Sequence, residues 1–526
     1  MKQYSFKTVF AAISISIAVL FSSCIDSDMN YHPTLPEDKD FSPSERLGAL
    51  MPAFAYAMHS PQENNNQHFE QMVAGQYGGY FATTNPWENT NFGTFNPTSN
   101  WVDLPFSNIM VGFNSNFNKV IRVTERRGYI YAWVNIMRVA SMLRMTDTYG
   151  PIPYSAIGSG EEFLPFDNVQ DVYHNMIADL DNSIAVISSY LLDSSDESPL
   201  AKYDEVYNGD FSKWLKFANS LKLRMAVRIA AVDTEYAKKV MAEAIADGPI
   251  ETNGDNAFIP TTDNPYYKAA VTWGDLAVSA VLTAYMNGYE DPRLPAYMLE
   301  ATSTNVNYGG YRGVRMGIKN VLKSRYGSPV YFSKPAFTVN SPLLVYCAAE
   351  TAFLKAEAAL RGWIAGGDAQ AKAYYEEGIK LSMEQHQVAI GSYLTSTTSP
   401  AQYTNAFVST HKISVANPIT VSWDDAGTSQ NTKLEKIITQ KWLANFPQGM
   451  EAWCDYRRTG FPQFFPPADN LSSAGFIGTV SNERMVRRLP FPNRQYTGNS
   501  ENVLKAVQML GGDDVATTDL WWAKKQ

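Results

Sequence analysis

From residue 42 onward, apolar positions recur at helical spacing and long polar, aromatic stretches separate the runs. In "YAWVNIMRVASMLRM", Trp133, Ile136, Met137, Ala140 and Leu143 fall at i, i+3, i+4, i+7 and i+10, one face of an α-helix. Val172, Ile177, Leu180 and Ile184 repeat the pattern in "DVYHNMIADLDNSIAVI". In "GDFSKWLKFANSLKLRMAVRIA", Asp210 has the place of an N-cap, and Trp214, Phe217, Ala218, Leu221 and Met225 make the buried stripe. Lys213, Lys216, Lys222 and Arg224 lie opposite and read as a solvated face.

Residues 343 to 387 read as a helical hairpin. "LLVYCAAETAFLKAEAALRGW" is an alanine-rich helix, "AGGD" a turn, and "AQAKAYYEEGIKLSMEQ" a second helix with Ala371, Tyr375 and Gly378 on one side. Small residues there let paired helices approach closely, the packing logic of tetratricopeptide hairpins, but the repeat has no regular period along the chain. The expected organisation is one domain over residues 24–526, with a helical scaffold at about 42–250 and 343–460. Loop-rich insertions occupy about 250–342 and 388–430, and a third loop-rich stretch covers residues 76–101. Loops this long in a compact domain are functional or disordered, and their aromatics favour function for the first insertion.

Composition then excludes several classes. Of the 526 residues 45% are hydrophobic, enough for a large core, while a net charge of −9 argues against a phosphate-backbone partner. The first residues are a targeting segment. Lys2 and Lys7 precede an apolar run from Val9 to Leu20, shorter than the ~20 residues of a bilayer span but suited to a secretory signal. Phe21-Ser22-Ser23-Cys24 follows, small at the two positions before a cysteine as in a bacterial lipobox, with Phe21 in place of the usual leucine. Residues 1–23 are therefore expected to be a lipoprotein signal peptide and Cys24 the acylated residue, since two or more acyl chains anchor stably where one does not. Cys347 and Cys454, the remaining cysteines, read as small buried hydrophobes rather than a disulfide or metal pair.

Enzyme signatures are missing: no GxSxG, no GxxxxGK[ST], no GxGxxG, no CxxC and no HExxH. The six histidines stand too far apart for a local metal motif. No cofactor or metal is expected, and catalysis is not.

Several motifs, in order, resemble the SusD/RagB family of nutrient-binding outer-membrane lipoproteins of Bacteroidota. They are "TDTYGPIPYS" at residues 146–155, "YNGDFSKWLKFANSLKLRMAVRIA", "ETAFLKAEAALRG", "IITQKWLANFPQGMEAWCDYRRTGFP" and "RRLPFP". The resemblance runs from the lipobox to about residue 505. It implies an all-α fold with tetratricopeptide-like hairpins, capture of a glycan or peptide rather than catalysis, and service as a lid on a SusC-like TonB-dependent transporter. Asp26 and Asp28, immediately after Cys24, resemble the acidic export signal that sends Bacteroidota lipoproteins across to the outer leaflet. Gln440 to Trp442 and Trp453 to Gly460 match framework motifs.

Asp147, Tyr149, Gly150, Pro151 and Tyr154 also sit where the family has framework. The residue types agree: Gly150 permits a turn, Pro151 and Pro153 end a helix, and Asp147 and the tyrosine hydroxyls can satisfy groups at helix ends. A sugar offers apolar C–H faces to Trp or Tyr and hydroxyls to Asn, Asp or Arg. The ligand surface is therefore sought on the aromatic loops, with Tyr80, Trp87, Asn89 and Trp101 from one stretch and Tyr266, Tyr267 and Trp273 from another. A surface glycan hydrolase and a purely structural lipoprotein are the competing classes.

Overall fold

Every residue from Ala132 to Tyr149 is buried, so the helix that holds them runs through the middle of the scaffold instead of showing one face to water. The computed structural model describes residues 43–193, 200–305, 309–405, 407–427 and 429–524. Contacts divide the chain into Met1–Arg46 and Leu47–Gln526; of the first unit only residues 43–46 are described. Cys24, Asp26, Asp28 and the expected signal peptide lie outside the described residues.

The longer helices of the second unit are α1 (Met51–Met58), α2 (Gly112–Thr124), α3 (Gly128–Tyr149), α4 (Val169–Asp193), α5 (Phe211–Ile229) and α6 (Thr234–Ala246). They continue with α7 (Ala280–Gly288), α8 (Ala348–Leu360), α9 (Gly367–Gln385), α10 (Gln430–Ala444), α11 (Gly449–Thr459) and α12 (Ser500–Leu510). Among the described residues four short strands, β1 (Phe81–Thr83), β2 (Ala257–Ile259), β3 (Leu276–Val278) and β4 (Leu343–Tyr346), pair as two antiparallel ribbons, β1 with β3 and β2 with β4. The fold is mainly helical, built on hairpins.

Helix α3 packs on α1, α4 and α5, while α10 lies across the α8–α9 hairpin. In that hairpin a Cβ at Gly378 would fall 2.7 Å from the Phe353 ring, so the small residue is what admits the aromatic between the helices. Asp210 caps α5 by accepting from the amides of Ser212 (3.0 Å) and Lys213 (3.2 Å). The predicted stripe from Trp214 to Met225 is buried.

The opposite side of α5 departs from the sequence expectation. Lys213 and Lys216 reach solvent, but Lys222 and Arg224 are buried because α4, α8 and α11 cover them. Lys222 pairs with Asp181 at 2.5 Å, and Arg224 makes two parallel 2.7 Å bonds to Glu350. Arg228 bridges Asp147 and Glu451; Lys441 meets Asp455 at 3.1 Å; Arg458 holds both oxygens of Glu357 at 2.6 Å. A charge in a dry core is tolerated only when it is paired and hydrogen-bonded, and these helices meet that condition pair by pair. Burial pushes the Glu451 carboxyl up, but Arg224, Arg228 and Lys441 outweigh it and hold it below the usual carboxylate range.

Two further expectations change. Residues Leu343–Tyr346 form strand β4 and the helix begins only at Ala348, since the Leu-Leu-Val-Tyr run pairs with β2. The insertion at 250–342 carries β2, β3 and α7 and is less loop-like than its composition suggests. Both described cysteines are buried and free, and burial raises the Cys347 thiol to about 12.

Candidate functional site

Ribbon β1–β3 is what brings the two aromatic stretches together. Its register pairs Phe81 with Val278, Ala82 with Ala277 and Thr83 with Leu276. In an antiparallel pair the chain leaving β1 and the chain entering β3 lie at the same end. Thr84 ties them there: its amide donates to the Asp275 carbonyl (2.9 Å) and its hydroxyl to the Gly274 carbonyl (2.6 Å). The loop of Trp87 and the loop of Trp273 therefore start side by side.

A third loop, residues 318–327, joins them. Asn89 and Asn320 exchange two hydrogen bonds of 2.6 Å, one between side chains and one from the Asn320 amide. Lys323 pairs with Asp275 at 2.5 Å, and Asn85 donates to the same carboxylate at 3.0 Å. Only glycine fits at 327, where a Cβ would stand 2.4 Å from the Gly274 carbonyl oxygen. Trp87, Glu88 and Asn89 all have left-handed φ angles, of 35°, 57° and 63°. Consecutive non-glycine residues in that region are costly and persist where the surroundings enforce them, as at ligand sites. Here the Asn89–Asn320 pair and a bond from the Trp87 amide to Asn85 Oδ1 (3.3 Å) do so.

The individual candidates divide. Trp87 is half-buried and meets Trp101 edge to face at 5.5 Å; Trp101, also half-buried, stacks on Phe92 at 6.2 Å and so braces Trp87 from behind. Trp273 is half-buried with Lys268 Nζ 6.0 Å from its ring centre, and Tyr267 is half-buried six residues earlier; the stretch that composition marked as a loop is here two short helical turns, Pro265–Tyr267 and Lys268–Trp273. Tyr80 and Tyr266 must be corrected, because both are fully buried. The Tyr80 hydroxyl donates to the Trp442 carbonyl at 2.5 Å with the two rings stacked at 5.7 Å. The Tyr266 hydroxyl bonds His59 Nε2 at 3.1 Å, and its ring lies 5.0 Å from Phe337. These are core side chains. The glycines before Tyr80 carried the signal: a Cβ at Gly78 would sit 2.4 Å from the Gly449 carbonyl, which keeps the chain pressed against α11 until β1. Sequence reasoning missed Asn85, Asp275, Asn320 and Lys323, which have polar roles between loops far apart in the chain.

"TDTYGPIPYS" is not a loop throughout. Thr146 to Tyr149 form the last turn of α3, and Gly150 stops it with φ 93°. The Tyr149 hydroxyl donates to the Val102 carbonyl at 2.6 Å, and that of Tyr154 to the Asp179 carboxylate at 2.6 Å. Asp147 caps no helix; it accepts from the Tyr173 hydroxyl (2.6 Å) and from Arg228. Trp442 Nε1 donates to the Gly78 carbonyl (2.8 Å) and Trp453 Nε1 to the Val486 carbonyl (2.9 Å), both from buried positions. Asp147, Tyr149, Tyr154, Trp442 and Trp453 are all buried.

Among the described residues no group of three or more His, Cys, Asp and Glu could hold a metal ion, and no helix is long and apolar enough to cross a membrane.

A family model described as SusD-like, SusD and RagB outer membrane lipoprotein, matches residues 28–523. No curated protein sequence matches the chain. Among solved structures, a SusD homologue from Bacteroides thetaiotaomicron superposes with a TM-score of 0.83 at 34% identity, covering 91% of this chain and 99% of its own. A SusD homologue from Bacteroides uniformis gives 0.82 at 37% identity over the same 91% and 99%. A chitin-binding SusD homologue from Flavobacterium johnsoniae gives 0.82 at 34%, again over 91% of this chain and 99% of that one.

Proposed function

The chain belongs to the SusD-like family of SusD and RagB outer membrane lipoproteins, and from that premise we propose that it captures an oligosaccharide on the three-loop surface and passes it to a SusC-like TonB-dependent transporter. Cys24 would carry the lipid that holds it on the outer membrane, facing the cell exterior. The role is binding without turnover.

One observation carries the glycan reading. Trp87 and Trp273, the half-exposed indoles of two distant stretches, leave the same end of ribbon β1–β3 with Asn85, Asn89, Asp275 and Lys323 between their loops. Sugar C–H faces stack on such rings while amides, a carboxylate and an ammonium group meet the hydroxyls. Trp101 serves as the brace of Trp87, and the half-buried Tyr267, from the same short helical stretch as Trp273, is the further ring to test. That a relative of similar length binds chitin supports a saccharide as the ligand class.

A mixed glycan and peptide screen on the mature chain tests the reading, followed by calorimetric titration of Trp87→Ala and Trp273→Ala with the best ligand. A stacked ring contributes ~0.5 to 1.5 kcal/mol beyond its area, so each variant is expected to bind about tenfold more weakly at an unchanged melting temperature. Parent-like binding by both variants, or preferential binding of peptides, defeats the glycan assignment. Product formation in the screen would mean a hydrolase instead.

A further inference from the structure

A cavity of about 580 Å³, open to solvent, lies at the C-terminal end of α11, and no residue of the three-loop surface lines it. Its volume is that of a small-molecule site. The wall is unusual in charge for a chain with a net −9. Arg457, Arg484, Arg487 and Lys524 face two carboxylates, Asp519 and Glu483.

Those carboxylates do not cancel the cations. Arg487 Nε binds Asp519 at 2.6 Å, and Arg484 binds the other oxygen of the same group, so one negative charge serves two guanidinium ions. Arg457 is 1% exposed and spends its donors on the carbonyls of Asp147 (2.6 Å), Arg487 (2.9 Å) and Trp453 (3.3 Å) and on Cys454 Sγ (3.1 Å). None of these is a carboxylate. Its guanidinium lies over Trp453 at 3.8 Å and Trp522 at 4.8 Å, in surroundings that screen its charge poorly. The Asp147 carboxylate acts on it, but that group is already bonded to Arg228, so here too one negative charge serves two guanidinium ions at the wall of an open cavity. Lys524 uses one donor on the Leu510 carbonyl (3.1 Å) and has two more to offer, and the Arg484 side chain is 58% exposed.

We propose that this cavity binds an oxyanion, a carboxylate, sulfate or phosphate group on a small ligand, with Arg484 and Lys524 as the contacting cations and Arg457 supplying fixed positive potential from behind. The proposal is independent of glycan capture at Trp87 and Trp273.

Calorimetric titration of the mature chain with sulfate, glucuronate and glucose tests it and separates a free inorganic anion from an acidic sugar. Saturable binding of sulfate or glucuronate, but not glucose, is expected, weakening as salt is added. Arg484→Gln and Lys524→Gln, both at exposed positions, should each weaken it about tenfold, the loss of one charge-assisted hydrogen bond, with melting temperatures unchanged. Trp273→Ala should bind the anion like the parent. Absence of saturable binding by either anion, or binding that both charge variants retain in full, overturns the proposal.

Discussion

Truncating Tyr149 separates a structural role for "TDTYGPIPYS" from a role in recognition. The ring is fully buried at the end of α3, edge-on to Phe106 at 5.5 Å, and its hydroxyl donates to the Val102 carbonyl at 2.6 Å. Tyr149→Phe keeps the ring but removes the hydroxyl donor from that carbonyl, at a cost of about 1 to 2 kcal/mol. Tyr149→Ala also opens a cavity and should cost about 3 to 5 kcal/mol, as for other large aromatic deletions. The Arg488 guanidinium donates to the backbone carbonyl of Tyr149 (2.7 Å), a bond that survives both changes. At roughly 2 cal/mol/K per residue, a domain of this size has an unfolding entropy on the order of 1 kcal/mol/K. The expected falls in melting temperature are therefore about 1 to 2 °C for Phe and about 3 to 5 °C for Ala, read by calorimetry, with ligand affinity unchanged for the folded protein. An unchanged melting temperature together with lost affinity would refute the framework role.

Gly378→Ala places a Cβ 2.7 Å from the Phe353 ring and should destabilise the α8–α9 hairpin by about 1 to 3 kcal/mol, relieved by Phe353→Leu in the double variant; denaturant midpoints of the three variants check this. Burial, helped by Arg293, lowers the His386 imidazole from 6.5 to about 4. Between those values only the unfolded chain takes up the proton, so stability falls as pH drops from 6.5 towards 4, and His386→Gln should flatten that part of the stability curve. Cys24→Ala should move the protein from the membrane to the soluble fraction and abolish labelling by radioactive fatty acid; a variant that stays in the outer membrane would refute the anchor.

The helical scaffold was legible in the sequence because an amphipathic stripe is local. Trp214, Phe217 and Leu221 announce their face by spacing, and Asp210 its cap, whatever the rest of the chain does. Small residues such as Gly378 announced a close helix pair for the same reason. Periodicity could not tell that the far side of α5 is also covered. Arg224 reads as a surface cation until Glu350, 126 positions away, is found opposite it, and only the packing of α5 against α8 supplies that partner.

The proposed ligand surface followed the same division. Polar and aromatic composition marked the loops of Trp87 and Trp273, yet it marked Tyr80 and Tyr266 equally, since a tyrosine in a polar stretch looks the same whether its ring faces water or the core. The difference lies in contacts distant in sequence. Trp442 stacks on Tyr80 and takes it into the interior, whereas the β1–β3 register turns the loops after Thr83 and before Leu276 out at one end, where Asn89 and Asn320 hold them. Local spacing determined which segments form helices and which stretches are rich in rings; long-range pairing, which no local pattern encodes, decided which rings are sealed in the core and which segments leave the ribbon at one end.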